Sequence, residues 1–494
     1  MVTGGTNGIG LPCSEMLLTS GHQLVALHRH DDAAAEAVLA ESGAVVEHAP
    51  VAPPPDRPAA PLPGPVPVPL SARGDRPLRE LAGQLRDRLA ADPGLDVGDV
   101  GHALATAGAR FEHRAVVLAA DRDAAQAGLD AVAAGRAAPP LVVTGTAGRT
   151  GGTVLVFPGQ GSQWAGMGLD LMAASPTFRD RMTECALALD PYLDWSLLEV
   201  LRGEPGAPGY DRDDVVQPVS FAMFVSLAAL WERIGVRPDA VIGHSQGEIA
   251  AACVAGALSL PDAARVVALR SQTISALAGT GGMVSVRLPA DRVAQLLGRW
   301  SDALAVAVVN GPSSTVVSGA APALRELLES CRADGIRARV VPVDYASHTA
   351  GVEPIRDRLL ELLAPITPRE SQVPFFSAVT GDVLDTRGLD AGYWYRSLRH
   401  PVRFEAATRA LVAAGHTVFV EASPHAVLTT AIEETLAEAA EEPSGTVVIG
   451  SLRRDGGGLD RFLVSAAKGW VRGLDVDWSV LTADRANRPV ELPT

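Results

Sequence analysis

The stretch Ala240-Val-Ile-Gly-His-Ser-Gln-Gly-Glu-Ile-Ala-Ala-Ala-Cys253 leaves the backbone few paths. The apolar run Ala240 to Ile242 reads as a buried strand, and the mostly small residues from Glu248 to Ala255 read as a helix. Gly243-His-Ser-Gln-Gly247 must turn one into the other. A bend this sharp needs residues without bulk on either side of the serine, and the two glycines supply that. The turn lifts the Ser245 hydroxyl off the strand end and aims the first helical N–H groups at whatever it attacks. The pattern is short, so an ordinary glycine-flanked turn stays an alternative until the rest of the chain is read.

Composition narrows the function classes. A chain of 494 residues suggests two to four domains. The net charge of -15 argues against nucleic acid as a partner. Basic residues are almost all arginine, with Lys468 the one lysine. Cys13, Cys185, Cys253 and Cys331 are scattered with no C-x-x-C, which suggests a reducing compartment and no metal site. No basic n-region precedes an apolar core at the N-terminus. The most apolar run, Val219 to Trp231, is too short and too serine-interrupted to span a bilayer. The expectation is a soluble, cytoplasmic protein with no membrane partner.

Residues 1–48 open with Val2-Thr-Gly-Gly-Thr-Asn-Gly-Ile-Gly10, a helical pattern and then Gln23-Leu-Val-Ala-Leu27. This resembles the start of a short-chain dehydrogenase, in which such glycines let the backbone approach a pyrophosphate. That chemistry needs a tyrosine four residues before a lysine, and Val464 holds that place before Lys468. The expectation is a truncated Rossmann-like fragment. Residues 49–69 follow as a linker; ten of the twenty residues from Pro50 to Pro69 are proline, which gives a stiff extended segment. Residues 70–150 read as a small α+β unit. Its first helix is marked by Leu78, Leu81, Leu85 and Leu89; a second helix spans Asp99 to Thr106, a strand Arg114 to Ala119, and a third helix Ala124 to Ala133.

Residues 151–445 carry the chemistry. Thr153-Val-Leu-Val-Phe157 reads as a buried strand that runs into Pro158-Gly-Gln-Gly161, where backbone N–H groups gather at a strand's C-terminal end. Between about 282 and 343 the pattern becomes β-α-β-β-α-β, the ferredoxin-like layout, here inserted as a second lobe. A buried strand follows at Thr417 to Ala422, and residues 446–494 read as a tail laid back over the body. The fold class is therefore α/β: an α/β-hydrolase-like main lobe with a nucleophile elbow, an inserted ferredoxin-like small lobe, and a small α+β domain before them.

Phe157-Pro-Gly-Gln-Gly-Ser-Gln163, Gly243-His-Ser-Gln-Gly-Glu248, Ala268-Leu-Arg-Ser271, Tyr345-Ala-Ser-His348 and Phe419-Val-Glu-Ala-Ser-Pro-His425 follow one another in this order. Order and spacing resemble the acyltransferase domains of modular type I polyketide synthases, over roughly residues 68 to 485. The unit at 70–150 resembles those enzymes' linker between ketosynthase and acyltransferase. The resemblance implies that Ser245 is the nucleophile and His348, 103 residues later, its general base. It also implies an oxyanion hole from the backbone N–H groups of Gln160 and Gln246, and a carbonyl near Ser397 that orients the imidazole. Arg270, twenty-five residues after Ser245, matches the arginine that grips the free carboxylate of malonyl-type groups; Arg265 on the same predicted helix is the surface alternative.

Relatives that use malonyl groups read His-Ala-Phe-His where this chain has Tyr345-Ala-Ser347-His348, the form typical of methylmalonyl users. Ser347 leaves room for a methyl beside the α-carbon. Gln246 and the run Asp213 to Gln217 resemble the same pattern. The implied reaction carries a (2S)-methylmalonyl unit from coenzyme A to the phosphopantetheine thiol of an acyl carrier protein. No bound cofactor is expected, and the carrier, a ketosynthase and other synthase domains are the implied partners. Malonyl-specific or promiscuous transfer is one alternative. Another is a serine thioesterase or esterase, in which His400, His416 or His425 would complete a Ser, acid, His order.

Overall fold

A computed structural model describes residues 64–106, 110–439, 445–483 and 488–492. The expected Rossmann-like fragment at 1–48 and most of the linker at 49–69 lie outside the described residues.

The end of the proline-rich stretch is a strand, not linker. β1 (Val66–Ala72) pairs antiparallel with β2 (His113–Ala119), which pairs with β3 (Val142–Thr146). In the order β1-β2-β3, β1 is an edge. Pro67 and Pro69 are two residues apart, so both missing N–H groups fall on one side of the strand, and only an edge strand has a side that needs no donors. Proline density in the sequence hid the alternation of buried Val68 and Leu70 beneath it. The helix Asp75–Ala91 buries Leu78, Leu85 and Leu89 against this sheet, with Ala82 in place of Leu81, which is only partly buried.

The main sheet begins with β4 (Gly152–Phe157) and β5 (Ala240–Gly243). The chain then builds a second sheet from β6 (Gly282–Val286), β7 (Leu304–Gly311), β8 (Ser314–Gly319) and β9 (Ala338–Val341). It returns to the first as β10 (Phe375–Ser377) and β11 (Asp382–Leu384). β12 (Val402–Arg403), β13 (His416–Glu421) and β14 (Val447–Gly450) follow. The main sheet has the order β11-β10-β5-β4-β13-β14 and is parallel except at β11. A parallel sheet is covered on both faces, and Val154 to Phe157 and Ala240 to Ile242 are accordingly all buried. Each fully buried valine, leucine, isoleucine or phenylalanine contributes about 1.5–3 kcal/mol. The helix Asp213–Arg233 is long and apolar enough by composition to cross a membrane, yet its apolar window is 89% buried inside the fold.

In the small lobe the order β7-β8-β6-β9 with antiparallel pairs is the expected ferredoxin-like arrangement. It is larger than the 282–343 stretch, because β12 adds a parallel fifth strand beside β7. A two-residue strand is too short for any alternation to announce it. The tail is also more than a cover: β14 is the edge strand of the main sheet, parallel to β13. The following helix, Leu459–Trp470, reaches the small α+β unit, where Arg114 donates to the Trp470 carbonyl at 2.8 Å and lies 4.8 Å over its ring.

Candidate active site

Ser245 leaves the C-terminal end of β5 with φ of 52°, a left-handed conformation that strains a side-chain-bearing residue. The glycines beside it are required by contact. A Cβ on Gly247 would sit 2.1 Å from the Phe157 carbonyl oxygen, and one on Gly243 would sit 2.1 Å from the Glu248 nitrogen. The elbow is pinned to the neighbouring strand by the His244 N–H, which donates to the Phe157 carbonyl at 2.8 Å.

His348 comes back to Ser245 from beyond the small lobe. Its Nε2 is 2.9 Å from Ser245 Oγ, and its Nδ1 is 3.0 Å from the carbonyl oxygen of His400. A carbonyl can only accept, so Nδ1 carries the proton and the Nε2 lone pair faces the serine hydroxyl. The His348 N–H donates to the Leu398 carbonyl at 2.9 Å, which holds its own left-handed backbone, φ 58°. The carbonyl that faces Nδ1 at 3.0 Å is that of His400, near Ser397 as expected, and it is free because the helix Ala391–Arg399 ends there. Burial and then the Arg270 cation push the His348 ring down to about 3, so it is neutral at neutral pH.

Ser245 and His348 open on a cleft of about 230 Å³ between the lobes, also lined by Gln160, Gln246, Arg270, Tyr345 and Ser347. All seven residues expected at the site therefore meet in one place. Arg270 is 2% exposed, and its Nη1 donates to Gln217 Oε1 at 2.9 Å. Among the described residues no carboxylate pairs with it, and its Nε has no partner. A guanidinium taken out of water without a counter-charge is costly, and a ligand carboxylate would relieve that cost. Arg265 is on another face, donating to the Leu362 carbonyl at 3.0 Å. The backbone N–H groups of Gln160 and Gln246 find no backbone acceptor among the described residues. Ser347 and Tyr345 are both 5% exposed, and the Ser347 hydroxyl donates to Met283 Sδ at 3.2 Å. None of His400, His416 and His425 is the imidazole on Ser245; His425 Nδ1, for one, accepts from the Arg454 N–H at 3.2 Å.

Comparison with known proteins settles the family. The model of the acyl transferase domain matches residues 154–476. The chain belongs to the acyl transferase domain family. A second model, described as CurL-like, PKS C-terminal, matches residues 67–129. The chain is 54% identical over 461 residues to the spectinabilin polyketide synthase system protein NorA' of Streptomyces orinoci, covering 93% of this chain and 12% of that protein. It is 49% identical over 450 residues to erythronolide synthase EryA3 of Saccharopolyspora erythraea, covering 91% and 14%. It thus spans a small part of the relatives it matches. Among solved structures, the acyltransferase domain from module 8 of the salinomycin polyketide synthase shares 52% identity and a TM-score of 0.81, covering 84% of this chain and 97% of that one. The acyltransferase domain of ZmaA has 25% identity and a TM-score of 0.77, covering 87% and 98%.

Several residues of this acyl transferase domain carry no signal of their own in the sequence. Gln217 was legible only as part of a pattern, yet it holds Arg270. The carboxylate of Asp213, on the same helix, accepts from the Gln160 side chain. Asn310, at the end of β7, accepts from His244 Nε2 at 2.8 Å and brings the small lobe onto the elbow. Glu421 accepts the Val427 and Leu428 N–H groups at 2.8 and 2.9 Å, fixing two residues that wall the cleft.

Proposed function

We propose that this acyl transferase domain moves a (2S)-methylmalonyl unit from coenzyme A to the phosphopantetheine thiol of an acyl carrier protein, in polyketide assembly, through an ester on Ser245. The observation that carries the chemistry is the 2.9 Å approach of the Ser245 hydroxyl to a neutral, buried His348. His348 Nε2 takes the hydroxyl proton as Oγ bonds to the thioester carbonyl carbon. The carbonyl electron pair moves onto oxygen, where the N–H groups of Gln160 and Gln246 receive it; a donor of this kind contributes about 3–4 kcal/mol. The pair returns, the C–S bond breaks, and the coenzyme A thiolate leaves with the proton from His348. In the second half the carrier thiol gives its proton to His348 and attacks the ester. The bond to Oγ breaks and Ser245 recovers its proton.

Arg270 supports a carboxylated acyl group, since a carboxylate would pair with a buried cation of the cleft that has no ion-pair partner among the described residues. Ser347, Tyr345 and Gln246 line the cleft together, and the small Ser347 leaves space beside the α-carbon that favours the methyl-bearing unit. One methyl group is worth only about 1–3 kcal/mol, so some malonyl transfer is expected. A carrier protein, a ketosynthase and other synthase domains as partners, and a cytoplasmic setting, belong to the same proposal.

Intact mass after mixing with a panel of acyl-CoA thioesters tests it. The expected result is a methylmalonyl adduct on the native protein and none on Ser245→Ala. Steady release of free acid with no transfer to a carrier would point to a thioesterase instead.

A further inference from the structure

Outside the catalytic cleft lies a second cavity of about 430 Å³. The two are continuous: Ser285, Asn310, Ser314, Arg339, Val427 and Leu428 line both. The outer cavity is basic in a chain whose net charge is -15. Its charged side chains are Arg287, Arg337, Arg339 and Glu434. Glu434 is committed to Arg287 at 3.1 Å and to the Ser313 hydroxyl at 2.6 Å. Arg337 and Arg339 make no ion pair among the described residues.

The strand register sets where these arginines stand. β6 and β9 are antiparallel, with Met283 opposite Val341 and Ser285 opposite Arg339; the Arg287 N–H then donates to the Arg337 carbonyl at 2.9 Å. Directly opposed residues share a face, and so do residues two apart. Met283, Ser285 and Arg287 with Val341, Arg339 and Arg337 therefore form one track on the face towards the cleft. Its inner end is Met283, which accepts from Ser347. Four residues at about 3.3 Å each carry the track about 13 Å outward to Arg287. A pantetheine arm has about thirteen bonds from sulfur to phosphorus, and at the extended-chain advance of about 3.5 Å per three bonds it reaches about 15 Å.

We infer that the outer cavity is a phosphate site, in which Arg337 and Arg339 hold the phosphate-bearing end of a pantetheine arm whose thioester lies at Ser245. This rests on the acyl-transfer reading of Ser245. The arm has two sources, the diphosphate of coenzyme A in the first half-reaction and the carrier's phosphodiester in the second. Guanidinium groups suit both, because their paired donors match phosphate oxygens.

The test uses Arg337→Ala with Arg339→Ala, both exposed and outside the catalytic machinery. Acyl-enzyme formation is measured as kcat/KM with an acyl-CoA and with the same acyl group on pantetheine, which has no phosphate. The native protein is expected to favour the coenzyme A donor. The double variant should lose about ten-fold with that donor and keep its rate with the pantetheine thioester. Transfer from the acyl-enzyme to phosphopantetheine and to pantetheine is measured in parallel. Loss confined to the donor step assigns the site to coenzyme A, and loss confined to the acceptor step assigns it to the carrier arm. An unchanged preference in both steps overturns the phosphate site. If the native protein is acylated by neither donor, the acyl-transfer reading fails instead.

Discussion

The Glu248 carboxylate accepts a hydrogen bond from the Ser397 hydroxyl at 3.1 Å. Glu248 lies in the first turn after the nucleophile elbow, and Ser397 lies on the helix whose end offers its carbonyls to His348. The same carboxylate accepts the Ala378 N–H at 2.7 Å and the Tyr393 hydroxyl at 3.0 Å. One buried side chain thus joins the segment that carries Ser245 to the segment that orients its base.

Removing that carboxylate should loosen both. Glu248→Ala leaves the buried Ala378 N–H and Ser397 hydroxyl without this acceptor, while Tyr393 keeps its 2.8 Å contact with Ser377, and is expected to cost about 3 kcal/mol in denaturant unfolding. Glu248→Gln keeps an acceptor and the shape, and should cost under about 1 kcal/mol at neutral pH. Burial pushes the Glu248 carboxyl up to about 7, against several hydrogen bonds that favour the ionised form. A raised value means that the folded state keeps a proton which the unfolded chain has lost. Its contribution is full below about 4.5 and is lost as pH rises through 7. The stability of native protein relative to Glu248→Gln should fall over that window, by up to about 1.4 kcal/mol per pH unit.

The depressed His348 ring makes a kinetic prediction. Acyl-enzyme formation, followed as kcat/KM against pH, should show no inflection near the ordinary histidine value of about 6.5, only an acid limb below about pH 5. Arg270→Ala removes the second cause of the depression and should move that limb upward. The stability sign is opposite to that of Glu248. The folded state binds fewer protons than the unfolded chain, so stability is full above about 6.5 and is lost as pH falls towards 3. Denaturation at pH 7 and pH 5 should show a larger loss for the native protein than for His348→Gln.

The proposed carboxylate clamp at Arg270 predicts a difference between carboxylated and plain acyl donors. Arg270→Ala is expected to lower kcat/KM about 100-fold with methylmalonyl-CoA and less than about five-fold with propionyl-CoA, since a charged hydrogen-bonded pair carries about 2–3 kcal/mol. Equal losses with the two donors would remove the carboxylate clamp. Arg270→Lys should restore little, because an ammonium cannot make the paired contact.

The proposed choice of extender unit by Tyr345 and Ser347 can be tested directly. Tyr345→His with Ser347→Phe fills the space next to Met283 and should shift the methylmalonyl to malonyl ratio about ten-fold or more towards malonyl in a competition assay read by mass. An unchanged ratio would show that these two positions do not choose the unit.

Gly247→Ala is expected to abolish acylation and to lower stability by more than about 3 kcal/mol in thermal unfolding, because the added Cβ meets the Phe157 carbonyl, a backbone atom that cannot step aside.

The elbow and the ferredoxin-like lobe were legible in the residues because both are local. A strand, five turn residues and a helix are contiguous, and the alternation of each β6 to β9 strand lies within a few residues. His348 was singled out among distant histidines only through the resemblance carried by Tyr345-Ala-Ser-His348, because no local pattern does so. His348 reaches Ser245 only because the small lobe closes on itself and hands the chain back beside the cleft, while His400 turns out to offer its carbonyl instead of its ring. The edge role of β1, the extra strand β12 and the closing strand β14 were likewise hidden, since pairing partners far apart leave no period in the sequence. What the sequence determined by itself is a serine held on a strained turn, because sterics between neighbours act along the chain. What only the tertiary structure decided is the electrostatics of the site: a neutral imidazole, an unpaired buried guanidinium and a shared carboxylate. Those depend on which groups are removed from water together, and burial is a property of the folded whole.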